Sequence, residues 1–380
     1  MPFFSFSINE IKPPLKTFNI TVNKVYFSKN TELWKILNKK SNSNIIFLKH
    51  EKRLPVKNIG KKILLFLPPS IGLGDAIEYA SAINKLIESV IFDKVAVAFT
   101  GDYTFLFRDY FKINNCYKYT ISQKDISTFD TIFHLTLEIK NLGNQKYFRS
   151  NIFHEIVNFF NIKNNSNNKI KLRKKNKVSK ISIFPLSSSP IRTMPINVLS
   201  ELIKILKRDY IIEIFLDNNS EISNHIYKKL NLENIFIVDP EKKSDLIYLI
   251  KNIQYGLFMD SGPLHVAKMF NKRGILLETS VSSKILLKNC NSIMGLENTF
   301  SSVFCKAPCG LTDIFNYNNK FGCYDSLKIK SKNLKKNNFQ NITNRGVKNY
   351  YLENVKKPVG CLSSLNVQNI YNAIKKDLSL

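Results

Sequence analysis

The stretch from Gln254 to Ala267, Gln-Tyr-Gly-Leu-Phe-Met-Asp-Ser-Gly-Pro-Leu-His-Val-Ala, constrains the fold more than any other in the chain. A short apolar run ends at Met259, a tight turn follows at Asp260-Ser261-Gly262, and Pro263 stands where a helix can begin. Proline is tolerated there because its missing N–H would have no helical partner. A run this short, apolar on consecutive residues, is the pattern of a strand covered on both faces, as in a parallel sheet. At the carboxyl end of such a strand, free backbone N–H groups and the positive end of a helix dipole meet at one spot. That spot suits an anion. Asp260 and Ser261 are placed to cap the helix, and His265 lies one turn in, near the mouth.

The same strand–turn–helix unit recurs along the chain. Lys62 to Pro68 is a continuous apolar run, followed by Pro69-Ser70-Ile71-Gly72-Leu73-Gly74-Asp75 and an amphipathic segment from Ala76 to Ile87. Gly72 and Gly74 let a ligand approach the backbone closely, and Asp75 falls at the start of the helix. Strands are expected at 94–99 and 131–135, and a helix over 148–160 closes this half. A second series begins at Lys180 to Pro185. Ser187-Ser188-Ser189, Arg192 and Pro195 then lead into a helix over 196–208. Strands at 211–216 and 235–238 and a helix over 244–253 precede the stretch that opened this section. Strands alternating with helices in this way specify a doubly wound α/β sheet.

Residues 1–60 read as an extension packed on the first domain, with a half-exposed strand at Phe18 to Asn23 and a short helical run around Trp34. The domains are then 61–160 and 179–380. The Lys/Asn-rich, unpatterned segment 161–178 joins them as a linker. With 57 Lys and Arg against 29 Asp and Glu, the net charge is +28, which favours anionic partners: phosphorylated sugars, acidic headgroups or nucleic acid. No apolar run has the length of a membrane span. The N-terminus lacks the basic region and apolar core of a secretory signal, so a cytoplasmic protein is expected, resting on the inner membrane by charge if at all. Its six cysteines would then be reduced.

Three segments resemble the heptosyltransferase family, the ADP-heptose:lipopolysaccharide enzymes of glycosyltransferase family 9. Asp260, Ser261, Gly262, His265 and Ala267 match that family's Asp-Ser/Thr-Gly, two-residue gap, His and Ala. Gly72-Leu73-Gly74-Asp75 matches its opening strand and Gly-Asp. Ser187, Ser188, Arg192 and Met194-Pro195 stand where the family has a hydroxyl-rich loop, a Lys and a Trp-Pro pair. The resemblance implies a GT-B fold, two Rossmann-like domains with parallel sheets facing a cleft. It implies inverting transfer of a heptose-like sugar from a nucleotide diphosphate donor such as ADP-heptose. The acceptor would be a hydroxyl of a cell-surface glycan, lipopolysaccharide core or protein.

By the same resemblance Asp75 is the catalytic base, in an acceptor-side loop with Gly72 and Gly74. The donor site comprises Ser187, Ser188, Arg192, Glu221, Asp260, Ser261, Gly262 and His265. Plain helix capping is the other reading of Asp75, and charge at a helix N-terminus the other reading of Glu221. Beyond His265 the likeness fades: Lys272 to Thr279 lacks the family's Gly-rich turn beside the sugar pocket.

Cys305, Cys309, Cys323 and Cys361 stand near the C-terminus, where the related autotransporter heptosyltransferases use four cysteines to bind iron. Iron or zinc is one reading of this set, and free buried thiols the other. Cys116 and Cys290 are expected in the core. No cofactor is required for transfer. A basic nucleic-acid-binding protein is the competing class, but its lysines are dispersed and no nucleic-acid motif appears. A sugar-binding remnant that keeps the fold without activity is a third.

Overall fold

The structure, a computed structural model, describes residues 3–7, 24–28, 45–49, 60–68, 71–99, 103–118, 121–135, 151–162, 177–217, 220–230, 233–288, 290–303, 305–312, 323, 355–358 and 360–379. The chain forms two compact units, Met1–Asn144 with Ile152–Asn164, and Gln145–Asn151 with Asn165–Leu380.

The first unit contains an antiparallel sheet that the sequence did not announce. Strands β1 (Phe3–Ser7), β2 (Lys24–Ser28) and β3 (Ile45–Lys49) pair with β1 in the middle. The strand expected at 18–23 and the helical run at Trp34 lie outside the described residues. A parallel sheet follows, opened by β4 (Lys62–Phe66) and the helix α1 (Leu73–Glu88). Next come β5 (Lys94–Phe99), β6 (Cys116–Lys118) and β7 (Ile121–Ser122), the last pairing with β2 to complete the antiparallel sheet. A one-turn α2 (Gln123–Ile126), then β8 (Thr131–His134) and α3 (Ile152–Phe159), end the unit.

The parallel strands lie in the order β6-β5-β4-β8, so the chain reverses direction across the sheet between β4 and β8. Ile63, Leu64, Leu65 and Phe66 are all fully buried, which explains the unbroken apolar run. The buried face of α1 carries Ala76, Ile77, Ala80, Ile83 and Leu86 at helical spacing. Glu78 on the same helix is buried, and its carboxylate accepts the Ile152 N–H at 3.0 Å, capping α3 from outside.

The second unit is a six-stranded parallel sheet. Its elements are β9 (Lys180–Phe184), α4 (Ile196–Leu206), β10 (Ile211–Phe215), α5 (Glu221–Lys229), β11 (Phe236–Val238) and α6 (Lys243–Lys251). They continue with β12 (Tyr255–Phe258), α7 (Gly262–Met269), β13 (Gly274–Leu277), α8 (Ser283–Leu286) and β14 (Ile293–Leu296). A small hairpin, β15 (Phe300–Ser301) with β16 (Lys306–Ala307), and the terminal helix α9 (Val367–Ser379) complete it.

The strand order is β11-β10-β9-β12-β13-β14. Numbered within the unit this is 3-2-1-4-5-6, the dinucleotide-binding order, with its switch point between β9 and β12. Ile370 and Ile374, one turn apart on α9, are buried in the core with Leu199 and Leu202 of α4. Each such side chain contributes roughly 1.5–3 kcal/mol, so α9 is part of this unit's fold.

Two glycines set the level of the switch point. Gly256 of β12 and Gly274 of β13 are direct partners across the strands. A Cβ on Gly256 would run into the Phe258 ring, and one on Gly274 into the Gly256 carbonyl. Their bare backbones seat Phe258, which stacks on Phe184 with centroids 5.0 Å apart. Phe184 stacks in turn on Phe215 at 4.3 Å. This aromatic row floors the carboxyl ends of β10, β9 and β12. Lower in the sheet, buried Ser182 donates to Glu213 at 2.6 Å, and Lys180 pairs with the same carboxylate at 2.7 Å.

Candidate functional site

The carboxyl edge of the second sheet gathers most of the donor residues expected from the sequence. From β9 the chain runs through Ser187 and Ser188 into a single 3-10 turn, Pro190–Arg192, and then into α4. Thr193 braces this loop: its hydroxyl donates to Ser189 O at 3.0 Å and accepts from Ser187 N at 3.2 Å. From β12 the chain turns through Asp260 and Ser261 into α7. The two loops are tied together where the strands part, as Ser187 Oγ donates to the Asp260 carbonyl at 3.1 Å.

Arg192 is the centre of this edge. Its Nε donates to Thr312 O at 2.9 Å, Nη1 to Asp260 O at 2.9 Å, and Nη2 to Ser188 Oγ at 3.2 Å. Nη1 also lies 3.3 Å from Asp260 Oδ2, with the Arg192 side chain 13% exposed and that of Asp260 3%. This second contact is ionic and lacks hydrogen-bond alignment, since Oδ2 accepts no hydrogen bond. A guanidinium has five N–H donors. Three are directed at protein acceptors, which leaves one on each terminal nitrogen.

The helix that starts here is open at its N-terminus. Ser261 occupies the N-cap position of α7 and makes no side-chain cap; its hydroxyl donates instead to Met259 O at 3.4 Å. The expected capping by Asp260 is also unrealised, because its carboxylate is turned to Arg192. Pro263 within the first turn has no N–H to offer. The eight-residue helix thus presents the backbone of Ser261 and Gly262, with its positive dipole end, beside a cation.

Two expected donor residues stand apart. Glu221 is exposed in the first turn of α5, one strand over beyond β10, where Ser220 caps by accepting from Ile222 N. His265 is 1% exposed, so it is packed under the site rather than standing at its mouth. In the first unit, Gly72 is the N-cap of α1 with an extended backbone, and Asp75 follows in the first turn, half-buried. Among the described residues, a Cβ on Gly72 would meet only the Asp75 carboxylate, at 3.8 Å. Gly74 is buried.

The four C-terminal cysteines gather beside the turn that carries Arg192. Cys309 and Cys323 pack with Ile191 and Leu311. The 3-10 turn Gly360–Leu362, which carries Cys361, packs against Pro190–Arg192 and β15. Cys323 and Cys361 are buried and Cys305 and Cys309 half-buried. Burial pushes the Cys361 thiol far above its usual range, and the sulfurs of Cys323, Cys309 and Cys305 push the same way. Among the described residues no group of three or more His, Cys, Asp or Glu side chains is arranged as a metal-ligand set. The donor type and the convergence fit a thiolate-bound iron or zinc; the ligand geometry is not closed around one. Of the other two cysteines, Cys290 is buried as expected. Cys116 is only half-buried, its thiol donating to Ile113 O at 3.0 Å.

Sequence reasoning missed Thr193, Thr312, Glu278 and Ser280. Thr193 closes the run Ser187–Thr193 and could have been read with it. Glu278, Thr279 and Ser280 follow β13 and are all buried, with Glu278 accepting from Ser283 N at 2.6 Å. Polar residues directly after an apolar strand were the available signal. Thr312 carried none, since it meets Arg192 from 120 positions away. No described helix is long and apolar enough to cross a membrane.

No family model matches the sequence, and no curated protein sequence matches it. Solved structures that the chain is similar to include the ADP-heptose LPS heptosyltransferase II of E. coli. It is 13% identical, over 64% of this chain and 91% of that one, with a TM-score of 0.45. A glycosyl transferase family 9 protein from Veillonella parvula DSM 2008 is 11% identical over 84% of this chain and 98% of that one, with a TM-score of 0.47. TibC, an iron-containing dodecameric glycosyltransferase from enterotoxigenic E. coli H10407, is 10% identical over 99% and 91%, with a TM-score of 0.48.

Proposed function

We propose that this chain is an inverting glycosyltransferase of the heptosyltransferase type, its two units forming the halves of a GT-B enzyme. The observation that carries the reading is the uncapped start of α7 beside Arg192, at the switch point between β9 and β12. Phosphate oxygens are what such a place accommodates: backbone N–H groups, a dipole end and a guanidinium with unspent donors. The three sequence elements that resemble the family fall on this edge and on the corresponding turn of the first unit.

In the proposed reaction an acceptor hydroxyl oxygen bonds to the anomeric carbon of the donor sugar. Its proton passes to the Asp75 carboxylate. The bond from the anomeric carbon to the diphosphate oxygen breaks, and its electron pair leaves with the diphosphate. The remaining N–H groups of Arg192 and those of Ser261 and Gly262 strengthen as charge gathers on the leaving group. Loss of one such donor typically costs about 3–4 kcal/mol of transition-state stabilisation. No cofactor takes part in this transfer.

The donor is a nucleotide diphosphate sugar such as ADP-heptose. The acceptor is an anionic glycan, glycolipid or protein, drawn in by the net charge of +28. The same charge favours peripheral contact with an anionic inner-membrane surface, from a cytoplasmic location. Cys305, Cys309, Cys323 and Cys361 would hold an iron or zinc ion, which supplies a structural cross-link between the Cys305–Cys323 region and the Gly360–Leu362 turn.

The test is a transfer assay with a panel of nucleotide sugars, ADP-heptose among them, and lipopolysaccharide-core or protein acceptors. Acceptor-dependent release of nucleoside diphosphate, with inversion at the anomeric carbon by NMR, is the expected result. A panel that releases none, with folded protein, overturns the proposal.

A further inference from the structure

We infer that residues 309–312 form a strap that positions Arg192, so that diphosphate affinity at the sheet edge depends on a packing contact that touches no ligand. The inference rests on the donor site proposed above. Leu311 and Thr312 are its positioning residues.

Arg192 ends a 3-10 turn of three residues whose own hydrogen bonds, Arg192 N–H to Ser189 O at 3.1 Å and Thr193 N–H to Pro190 O at 3.4 Å, hold the backbone and leave the side chain to be fixed separately. What fixes its guanidinium comes from elsewhere in the chain. Thr312 O takes the Nε–H at 2.9 Å, which sets the plane of the fork and aims both terminal nitrogens toward Asp260 and Ser188. The strap is pinned on its other side, where Gly310 N donates to Ser280 O at 2.6 Å in the loop after β13. Between these two points Leu311 is buried against Ile191, the residue before Arg192. The strap thus spans from the loop after β9 to the loop after β13, and the Asp260 turn after β12 belongs to the strand between them. Cys309 leads into it, and the Cys361 turn packs on the same 3-10 turn, so the thiols flank the segment that orients the cation.

An arginine free to swing loses the pre-organisation that makes its fork effective. Truncating Leu311 should free Thr312 and Arg192 together without altering any group that meets a phosphate. The probe is inorganic pyrophosphate, titrated calorimetrically into the full chain, with melting temperature measured alongside. Leu311→Ala is expected to weaken pyrophosphate binding by roughly two- to thirtyfold, the range of an indirect coupling. Leu311→Met, which refills the contact, is expected to restore it. A purely structural Leu311 would lower the melting temperature and leave pyrophosphate affinity unchanged in folded protein, and that result overturns the strap. Should Leu311→Ala not fold, Ile191→Val trims the same contact from its other side and must weaken binding in the same direction. Wild-type protein that binds no pyrophosphate overturns the donor-site reading itself, and the strap with it, whereas normal wild-type binding with an unaffected variant overturns the strap alone.

Discussion

Replacing Arg192 by alanine separates what this residue does for the fold from what it does for a ligand. Its guanidinium is paired with Asp260 at 3.3 Å, and the Asp260 side chain is 3% exposed. Arg192→Ala leaves that carboxylate uncompensated, removes the Arg192 donor from Thr312 O and Ser188 Oγ, and leaves Asp260 O to the Ser187 hydroxyl. Breaking a buried pair from one side costs about 3–5 kcal/mol, which urea unfolding will read as a lower midpoint with an unchanged slope. Pyrophosphate affinity falls separately. One charge-assisted contact is worth about 1.5–3 kcal/mol, or roughly 10- to 150-fold.

The double variant Arg192→Ala/Asp260→Ala removes the stranded charge as well. It should recover most of the lost stability and none of the affinity, because the cation is still missing. Arg192→Lys keeps the charge, but one ammonium cannot serve Thr312, Asp260 and Ser188 in their present directions, so it should recover affinity only in part. An Arg192→Ala protein as stable as wild type refutes the buried pair. Unchanged pyrophosphate affinity in it refutes the phosphate site.

Three further outcomes are expected. Asp75→Asn should cut turnover at least about a hundredfold while pyrophosphate binding persists; near-normal turnover would make Asp75 a helix-start residue only. Gly274→Ala should destabilise the second unit by more than the roughly 1–3 kcal/mol of ordinary overpacking, because the added Cβ meets the Gly256 backbone as well as the Phe258 ring; unfolding at the wild-type urea midpoint would contradict the seating of that ring. Protein purified without added metal should carry about one iron or zinc per chain by elemental analysis, and a metal-free, fully active preparation would leave the four cysteines as plain buried thiols.

The sequence was most legible where one local rule decided the outcome. The strands Lys62–Phe66 and Lys94–Phe99 are legible because, past the leading lysine, every residue is apolar, as in parallel strands covered on both faces. The start of α7 was readable because Pro263 is compatible only with a first turn. Cys116–Lys118 and Phe300–Ser301 are too short and too mixed to carry a period, and they passed unread. The carboxyl edge of the second sheet is legible as a set of residue types, and much less so as a set of contacts. Ser188, Arg192 and Asp260 stand out by type, but the Arg192–Asp260 pair joins residues 68 positions apart, and nothing local announces it. For the same reason Asp260 looked like a cap: capping is the local use of an aspartate before a helix, and a cation reaching it from another loop is a tertiary event.

If the edge between β9 and β12 binds a diphosphate, pyrophosphate titration in competition with single-stranded RNA will show it. At about 50 and 200 mM salt, a range over which nucleic-acid affinity falls steeply, wild-type protein should bind pyrophosphate at one site per chain. That site should be lost in Arg192→Ala, and RNA should not displace the ligand at the higher salt. Absence of pyrophosphate binding, or an RNA complex that excludes pyrophosphate at the same site, would contradict the account.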